Sequence, residues 1–483
     1  MHLTKIAEFK PFSGAPKINI ASVYGASPNK PFLLRIPVTG ERPISYGAQN
    51  LPEGLELEDN IITGSVVSEG DYEITLTAEN ALGKAEKKLT LEIHPGNILL
   101  TPLMGFTSWN AFAAAVNQEK METTAQKMVE LGISEYGYQY VNLDSGWQGE
   151  YGGEFDAIMP NGKFPDMKKM TDTIHSLGLK AGIYSTPMLS AWPTQVPLFP
   201  GCTTGEPDKR FPLVNGGIGV ERKEKNNALQ WSDWGFDYLK YDWEPTDTYN
   251  AEIMREILAS MERDFGYCVT VRVIKRNINY WSKYVNSYRC CADSSGKWPN
   301  FLEIYRTYFE FMNNWNKGHY CDLDMLDMGN CRFKEIMTED EQIVAYSARA
   351  FLGSPIQIST NLEKPGDFEL AVYCNEEIIA INQDSAFCAA LPIFRNKQGD
   401  AELDIFEKKL EDGTYAYAFF NIGETKQTVI GRFENNALLR DVWAKEDLPQ
   451  SFYLDMELAP HTVRILKSSE RIKSITHAVG GKK

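Results

Sequence analysis

Two short stretches carry ionisable side chains where a strand should end. In "YLKYDWEPTD" (238–247), Lys240 and Asp242 stand two residues apart at the close of an apolar, aromatic run. In a strand both project to the same side. An ammonium so placed favours the ionised carboxylate and holds it in one orientation. A second carboxylate, Asp293, closes "SYRCCAD", with Arg289 four residues before it. Two carboxylates on opposite lips of one pocket are the minimal equipment for cleaving a glycosidic bond, one as nucleophile and one as acid/base. On pattern alone an aspartate at a strand end is more often a helix N-cap or a loop ion pair. Aromatic rings fall at similar places: Trp109 in "GFTSWNAF", Trp147 in "LDSGWQG", Tyr184 at the end of "LKAGIYST" and Trp243 beside Asp242. Rings offer a stacking face to the C–H side of a sugar, although part of such a set only fills core space.

The elements that must position these groups follow from the pattern of the chain. Residues 97–390 alternate strand-like and helix-like segments. The candidate strands are "PLMGFTSW", "YQYVNLDSGW", "LKAGIYST", "YLKYDW", "CVTVRV", "SYRCCAD", "DLDMLD" and "PIQIST", with amphipathic stretches such as "KMETTAQKMVELG" between most of them. Eight such units predict a (β/α)₈ TIM barrel, whose active site lies at the C-terminal ends of its strands. Residues 1–96 read as a β domain: "DYEITLTAEN" and "KKLTLEI" alternate, with Tyr72, Ile74 and Leu76, then Leu89, Leu91 and Ile93, on one face. Residues 391–470 return to alternating strands and predict an antiparallel β-sandwich, leaving 471–483 as a tail.

Composition sets outer limits. The chain has 483 residues, 43% hydrophobic and 24% charged, and 49 basic against 65 acidic side chains leave a net charge of −16. That length calls for two or three domains. The charge disfavours nucleic acid and anionic membrane surfaces as partners. No signal-peptide-like apolar stretch opens the sequence and no run is long enough to span a membrane, so a cytoplasmic protein is expected, or a secreted or periplasmic one if a leader has been removed. Its eight cysteines (202, 268, 290, 291, 321, 331, 374 and 388) show no scaffold spacing and read as free thiols. Cys290 and Cys291 would face opposite ways in a strand. No metal-ligand spacing occurs, so neither metal nor organic cofactor is expected. A homo-oligomer is left open.

Seven motifs carry a family resemblance: "TPLMGFTSWNAF", "YGYQYVNLDSGW", "KFPDMKKMTDTIHSLGLKAGIYS", "WGFDYLKYDW", "NSYRCCAD", "GHYCDLDMLDMGN" and "EEIIAINQD". Their order resembles the retaining α-galactosidases and α-N-acetylgalactosaminidases of glycoside hydrolase family 27, the melibiase-like enzymes. Residues 51–93 resemble the immunoglobulin-like domains attached to bacterial carbohydrate-active enzymes. The resemblance implies Asp242 as nucleophile and Asp293 as acid/base. It further implies Arg289 near the C2 and C3 hydroxyls, Trp109 as a wall of the sugar site, Tyr184 and Lys240 on hydroxyls, and Asp144 on the C4 or C6 hydroxyl.

The chain departs from the family at defined places. Ser145 follows Asp144 where the family carries a second aspartate, so a charge-assisted hydrogen bond to galactose is missing. In "VTVRVIKRNINYW" no acidic residue remains, and Arg272, Lys275 and Arg276 bring positive charge to the segment that shapes the C2 pocket in relatives. Either this is a solvated basic loop or Arg272 and its neighbours meet an anionic sugar. Tyr288 replaces a tryptophan, and Gly146 and Glu244 stand where secreted members carry cysteines. Asp322 and Asp324 are expected as structural anchors below the site, and His319 as a structural histidine. The expected function is removal of a terminal α-linked galactose-type sugar from an oligosaccharide or glycoside with retention. The alternatives are an α-N-acetylgalactosaminidase, a hydrolase of a modified or acidic galactose-type sugar, or an inactive sugar-binding barrel.

Overall fold

A computed structural model describes residues 3–191, 199–211, 217–242, 247–270, 277–289 and 291–480. Its eight central strands are short and buried on both faces: β1 Met104–Thr107, β2 Tyr140–Asn142, β3 Lys180–Ser185, β4 Tyr238–Asp242, β5 Gly266–Thr270, β6 Ser287–Arg289, β7 Tyr320–Asp322 and β8 Ile356–Ile358. All pair in parallel in the order β7-β6-β5-β4-β3-β2-β1-β8. A parallel bridge between Leu326 and Ile358 joins the two ends, so the sheet curls into a barrel. Helices wrap it between strands. Gln118–Glu130 and Met167–Ser176 begin at Asn117 and Asp166, whose side chains accept hydrogen bonds from the backbone N–H groups of Lys120 and Lys169. Each lays an apolar stripe on the sheet, Met121, Ala125 and Met128 in one and Met167, Met170 and Ile174 in the other.

The N-terminal domain is an immunoglobulin-like sandwich. Its longest hairpin, Gly70–Asn80 with Gly83–Ile93, buries Ile74, Leu76, Leu89, Leu91 and Ile93 as the alternation predicts, with Tyr72 packed at the margin. The domain seats on the N-terminal end of the barrel. Arg35 donates to Glu135 at 2.8 Å just ahead of β2, and to the Leu177 carbonyl at 3.0 Å just ahead of β3. The Ser27 amide donates to Asp264 at 2.8 Å just ahead of β5. These three anchors lie on turns that precede strands, so the domain supports the end of the barrel opposite the strand C-termini.

The C-terminal domain is an antiparallel sandwich packed against the outer helices. Phe406, Ala418, Phe420 and Ile465 belong to the same apolar core as the barrel. Tyr305 donates to Asp404 at 2.9 Å and Trp443 to Ser347 at 3.0 Å across that seam. The stretch expected as a tail from 471 is instead a strand over Ile472–Val479, paired antiparallel with Gln427–Asp441. Only Ile472 of that strand is buried, which leaves its alternation faint in the sequence. The seven described cysteines are free thiols; Cys290 lies outside the described residues. Among the described residues, no helix is long and apolar enough to cross a membrane.

Candidate active site

Side chains from the strand C-termini enclose a cavity of about 170 Å³, lined by Trp109, Asp144, Ser145, Tyr184, Lys240, Asp242, Arg289 and Asp293 among others. Eight of the nine site residues expected from sequence therefore share one pocket. Arg272 lies outside the described residues, as do Trp243, Glu244, Lys275 and Arg276. A larger cavity of about 480 Å³ lies at the seam with the N-terminal domain, beside Tyr24, Tyr140 and Lys180. It sits at the wrong end of the barrel for chemistry at strand C-termini, so the smaller cavity is the candidate active site.

Asp242 is the last residue of β4 and nearly buried. Tyr184, across the β3–β4 ladder, donates its hydroxyl to Asp242 Oδ2 at 2.9 Å. Burial, then the nearby Asp242 and Asp144 carboxylates, push the Tyr184 hydroxyl well above its ordinary pKa, so it stays protonated as a donor. Trp147 is fully buried beneath, its Nε1 bonded to the Tyr184 carbonyl at 3.0 Å, and supports the ring rather than lining the pocket.

Lys240 differs from its expected role. Its ammonium donates to Asp144 Oδ2 at 2.7 Å, not to Asp242. Side chains two apart on one strand stand about 6.6–6.8 Å apart along it, whereas inward side chains of different strands converge inside a barrel. Burial would lower the Lys240 pKa, but Asp144 and then Asp242 outweigh it and hold it above the ordinary lysine value. Asp144 in turn accepts from the Ser145 amide at 2.8 Å, and its own amide is held by Ser108 Oγ at 2.9 Å. Ser145 Oγ is buried with no hydrogen-bond partner among the described residues. A buried hydroxyl in that state, at a pocket wall, suits a ligand hydroxyl.

Asp293 does not end a strand: β6 is described over Ser287–Arg289, and Asp293 lies in a loop beyond it. Its side chain is 63% exposed, against 7% for the side chain of Arg289, whose guanidinium meets it at 2.7 Å. Arg289 also meets Asp324 at 3.2 Å. Burial opposes the Arg289 charge, but Asp324, Asp293 and Asp242 raise its pKa well above the ordinary value. Trp109 likewise falls just past β1, in the helical turn Ser108–Phe112, and is half-buried at the pocket wall.

Several lining residues escaped the sequence reading. Asp324, expected as an anchor below the site, lines the pocket itself. Its backbone is left-handed, with φ of +62°. Burial would raise its pKa, yet Arg289 and Lys240 keep it below the ordinary aspartate value. Asp322 does act as an anchor: its carboxylate accepts from the Asp324 amide at 2.8 Å and from Gln357 at 3.0 Å, and burial with Asp324 nearby lifts it to about 6. His319 precedes β7, away from the pocket, and its Nδ1 bonds the Val285 carbonyl at 2.7 Å. Arg332, from a loop beyond β7, also lines the pocket, its guanidinium 5.4 Å from the Trp109 ring centre and 4.7 Å from that of Phe333. Only its distance in sequence from the strand ends hid it.

Comparison with known proteins gives the family. A model of the α-galactosidase A family matches residues 101–197 and 214–384, a model of the α-galactosidase C-terminal β-sandwich matches 400–468, and an Ig-domain model matches 15–94. An α-galactosidase A of Cellvibrio japonicus is 28% identical over 406 residues, which cover 77% of this chain and 92% of that protein. A crystal structure of a candidate α-galactosidase/melibiase from Bacteroides fragilis superposes with a TM-score of 0.84 at 29% identity, covering 95% of this chain and 98% of that one. A second candidate α-galactosidase from the same organism gives 0.83 at 29%, covering 96% and 99%. Matched over more than half of its length by a model that spans the barrel and its pocket, the chain belongs to the α-galactosidase A family and is a glycoside hydrolase, in line with the family 27 motifs it carries.

Proposed function

We propose that the enzyme removes a terminal α-linked galactose-type sugar from an oligosaccharide or simple glycoside by double displacement, with Asp242 as nucleophile and Asp293 as acid/base. The contrast between the two carboxylates carries this reading. Asp242 is enclosed beneath the pocket with a phenol donor fixed on one oxygen, as a nucleophile held for attack at C1 requires. Asp293 stands at the exposed lip, where a leaving group departs and water arrives. In the first step Asp242 bonds to C1 while Asp293 gives its proton to the departing glycosidic oxygen. In the second, Asp293 takes a proton from water, whose oxygen bonds to C1 and releases Asp242.

The remaining roles follow from the same geometry. Trp109 walls the ring, and the Lys240–Asp144 pair and Arg289 offer donors and acceptors to hydroxyls. A cavity of about 170 Å³ suits one sugar unit, which favours attack on a chain end. The relatives named as α-galactosidases support galactose as the parent sugar.

A second reading, a modified or acidic galactose-type sugar, is favoured by two observations. Ser145 supplies a neutral hydroxyl where the family resemblance implies a second carboxylate, and the cation Arg332 lines the same pocket. A charge-assisted hydrogen bond is worth about 1.5–3 kcal/mol, or roughly one to two powers of ten in kcat/KM when made in the transition state. Ser145→Asp is expected to raise kcat/KM on p-nitrophenyl α-galactoside by about that factor, and to lower it on p-nitrophenyl α-galacturonide if the native sugar is acidic. Paired assays of the two substrates check this. A wild-type enzyme already at about 10⁴ M⁻¹s⁻¹ or faster on the galactoside, with no gain from the substitution, would make Ser145 a neutral replacement.

A further inference from the structure

The loop that carries Asp293 is tied down by two buried carboxylates from the segment after β7. Asp324 Oδ2 accepts from the Ser294 amide at 2.7 Å. Asp327 Oδ2 accepts from the Gly296 amide at 2.9 Å and from the Ser294 hydroxyl, while its Oδ1 accepts from Asn110. Asp327 thus joins the acid/base loop to the turn after β1 that carries Trp109. Asp324 and Asp327 are 3% and 2% exposed. From the other side Asn300 donates to the Asp293 carbonyl at 3.0 Å and accepts from the Ser295 amide at 2.9 Å. Behind Asp324, the buried Arg349 holds the carbonyls of Asp324 and Met325 at 2.8 and 3.2 Å.

Two features separate this cluster from ordinary loop packing. Asp324 adopts the left-handed conformation, uncommon for a residue other than glycine, and such strain persists only where the surroundings over-determine it. Its carboxylate also shares Arg289 with Asp293, so the loop contact and the charge contact converge on the same two groups. Among the described residues Asp327 is absent from the pocket lining and meets the site through Ser294, Gly296 and Asn110.

We propose that Asp327, together with Asp324, is a positioning residue for acid/base catalysis, fixing the loop 291–296 so that Asp293 reaches the glycosidic oxygen. The proposal rests on the reading of Asp293 as the acid/base. It separates proton donation from the rest of the mechanism: a loosened loop should slow only reactions whose leaving group must be protonated.

The test compares kcat/KM on melibiose, whose leaving group needs a proton, with that on 2,4-dinitrophenyl α-galactoside, whose leaving group does not. Asp327→Ala is expected to lower the first by about 10–100-fold, the cost of misplacing a reacting group by about an ångström, while the second stays within about twofold. Ser294→Ala, which deletes the hydroxyl bond to Asp327 and keeps the buried carboxylate, should move the ratio the same way by several-fold, and decides the matter should Asp327→Ala fail to fold. Equal losses on both substrates, or no loss on either, overturn the proposal. Asp293→Ala serves as the control. If Asp293→Ala discriminates between the substrates and the loop variants do not, only the positioning role falls. If Asp293→Ala does not discriminate, the assignment of the acid falls with it.

Discussion

Asp242→Ala should abolish turnover of every α-glycoside the enzyme accepts, by about 10⁴-fold or more, whatever the leaving group. The reason is geometric as well as chemical. Asp242 closes β4 inside the cavity, and Tyr184 already occupies one of its oxygens. Among the described pocket carboxylates, Asp144 pairs with Lys240, Asp324 with Arg289 and the Ser294 amide, and Asp293 stands at the exposed lip beside Arg289. With the nucleophile gone, a covalent glycosyl-enzyme cannot form and dinitrophenyl and alkyl glycosides should fail alike. Assays on both, with the variant's fold checked by circular dichroism, read the result. A variant that keeps a tenth of wild-type activity would move the nucleophile elsewhere.

Asp293→Ala should behave differently, and the difference is diagnostic. General acid catalysis contributes roughly 10²–10⁴-fold, so kcat/KM on a substrate with a poor leaving group should fall by about that range. On 2,4-dinitrophenyl α-galactoside, whose phenolate leaves unaided, it should change little. The exposure of Asp293 fits this division, because the group that meets the aglycone must face the mouth of the pocket. Added azide, a nucleophile that needs no base, should restore turnover of the activated substrate where the second step has become limiting. Equal losses on both substrates would show that Asp293 is not the acid.

Much of this site is legible in the sequence because a parallel barrel strand is buried on both faces, so a polar residue at its end stands out. Lys240, Asp242 and Arg289 are of this kind, and the order of strands β1–β8 follows from the same hydrophobic runs. What the sequence hides depends on where backbone periodicity stops. Asp293 and Trp109 lie just beyond their strands, in a loop and a helical turn, where the hydrophobic run no longer marks position. Asp324 turns into the pocket because its backbone is left-handed, and an aspartate in "DLDML" gives no sign of that. The partner of Lys240 comes from β2's end, 96 residues away in sequence, a convergence that only the closed barrel creates. The final strand, Ile472–Val479, was hidden for the opposite reason: it pairs at the edge of a sandwich with little to bury, so its pattern is faint. The N-terminal domain shows the converse, since "DYEITLTAEN" alternates strongly and folds as read.

The seat of that domain also bears on its part in catalysis. Its anchors at Glu135, Leu177 and Asp264 precede β2, β3 and β5, at the end of the barrel opposite Asp242. None of its described residues lines the sugar pocket. Its described contacts cover the end of the barrel away from the pocket.

The central claim is a covalent glycosyl-enzyme on Asp242. It is tested most directly by incubating the wild-type enzyme with a 5-fluoro-α-galactosyl fluoride, which glycosylates a retaining enzyme quickly and hydrolyses slowly, and then mapping the adduct by peptide mass spectrometry. One added fluorosugar is expected, located at Asp242 within the "YLKYDWEPTD" peptide and absent in Asp242→Ala. An adduct on another carboxylate, or direct release of the inverted sugar with no adduct, would contradict it.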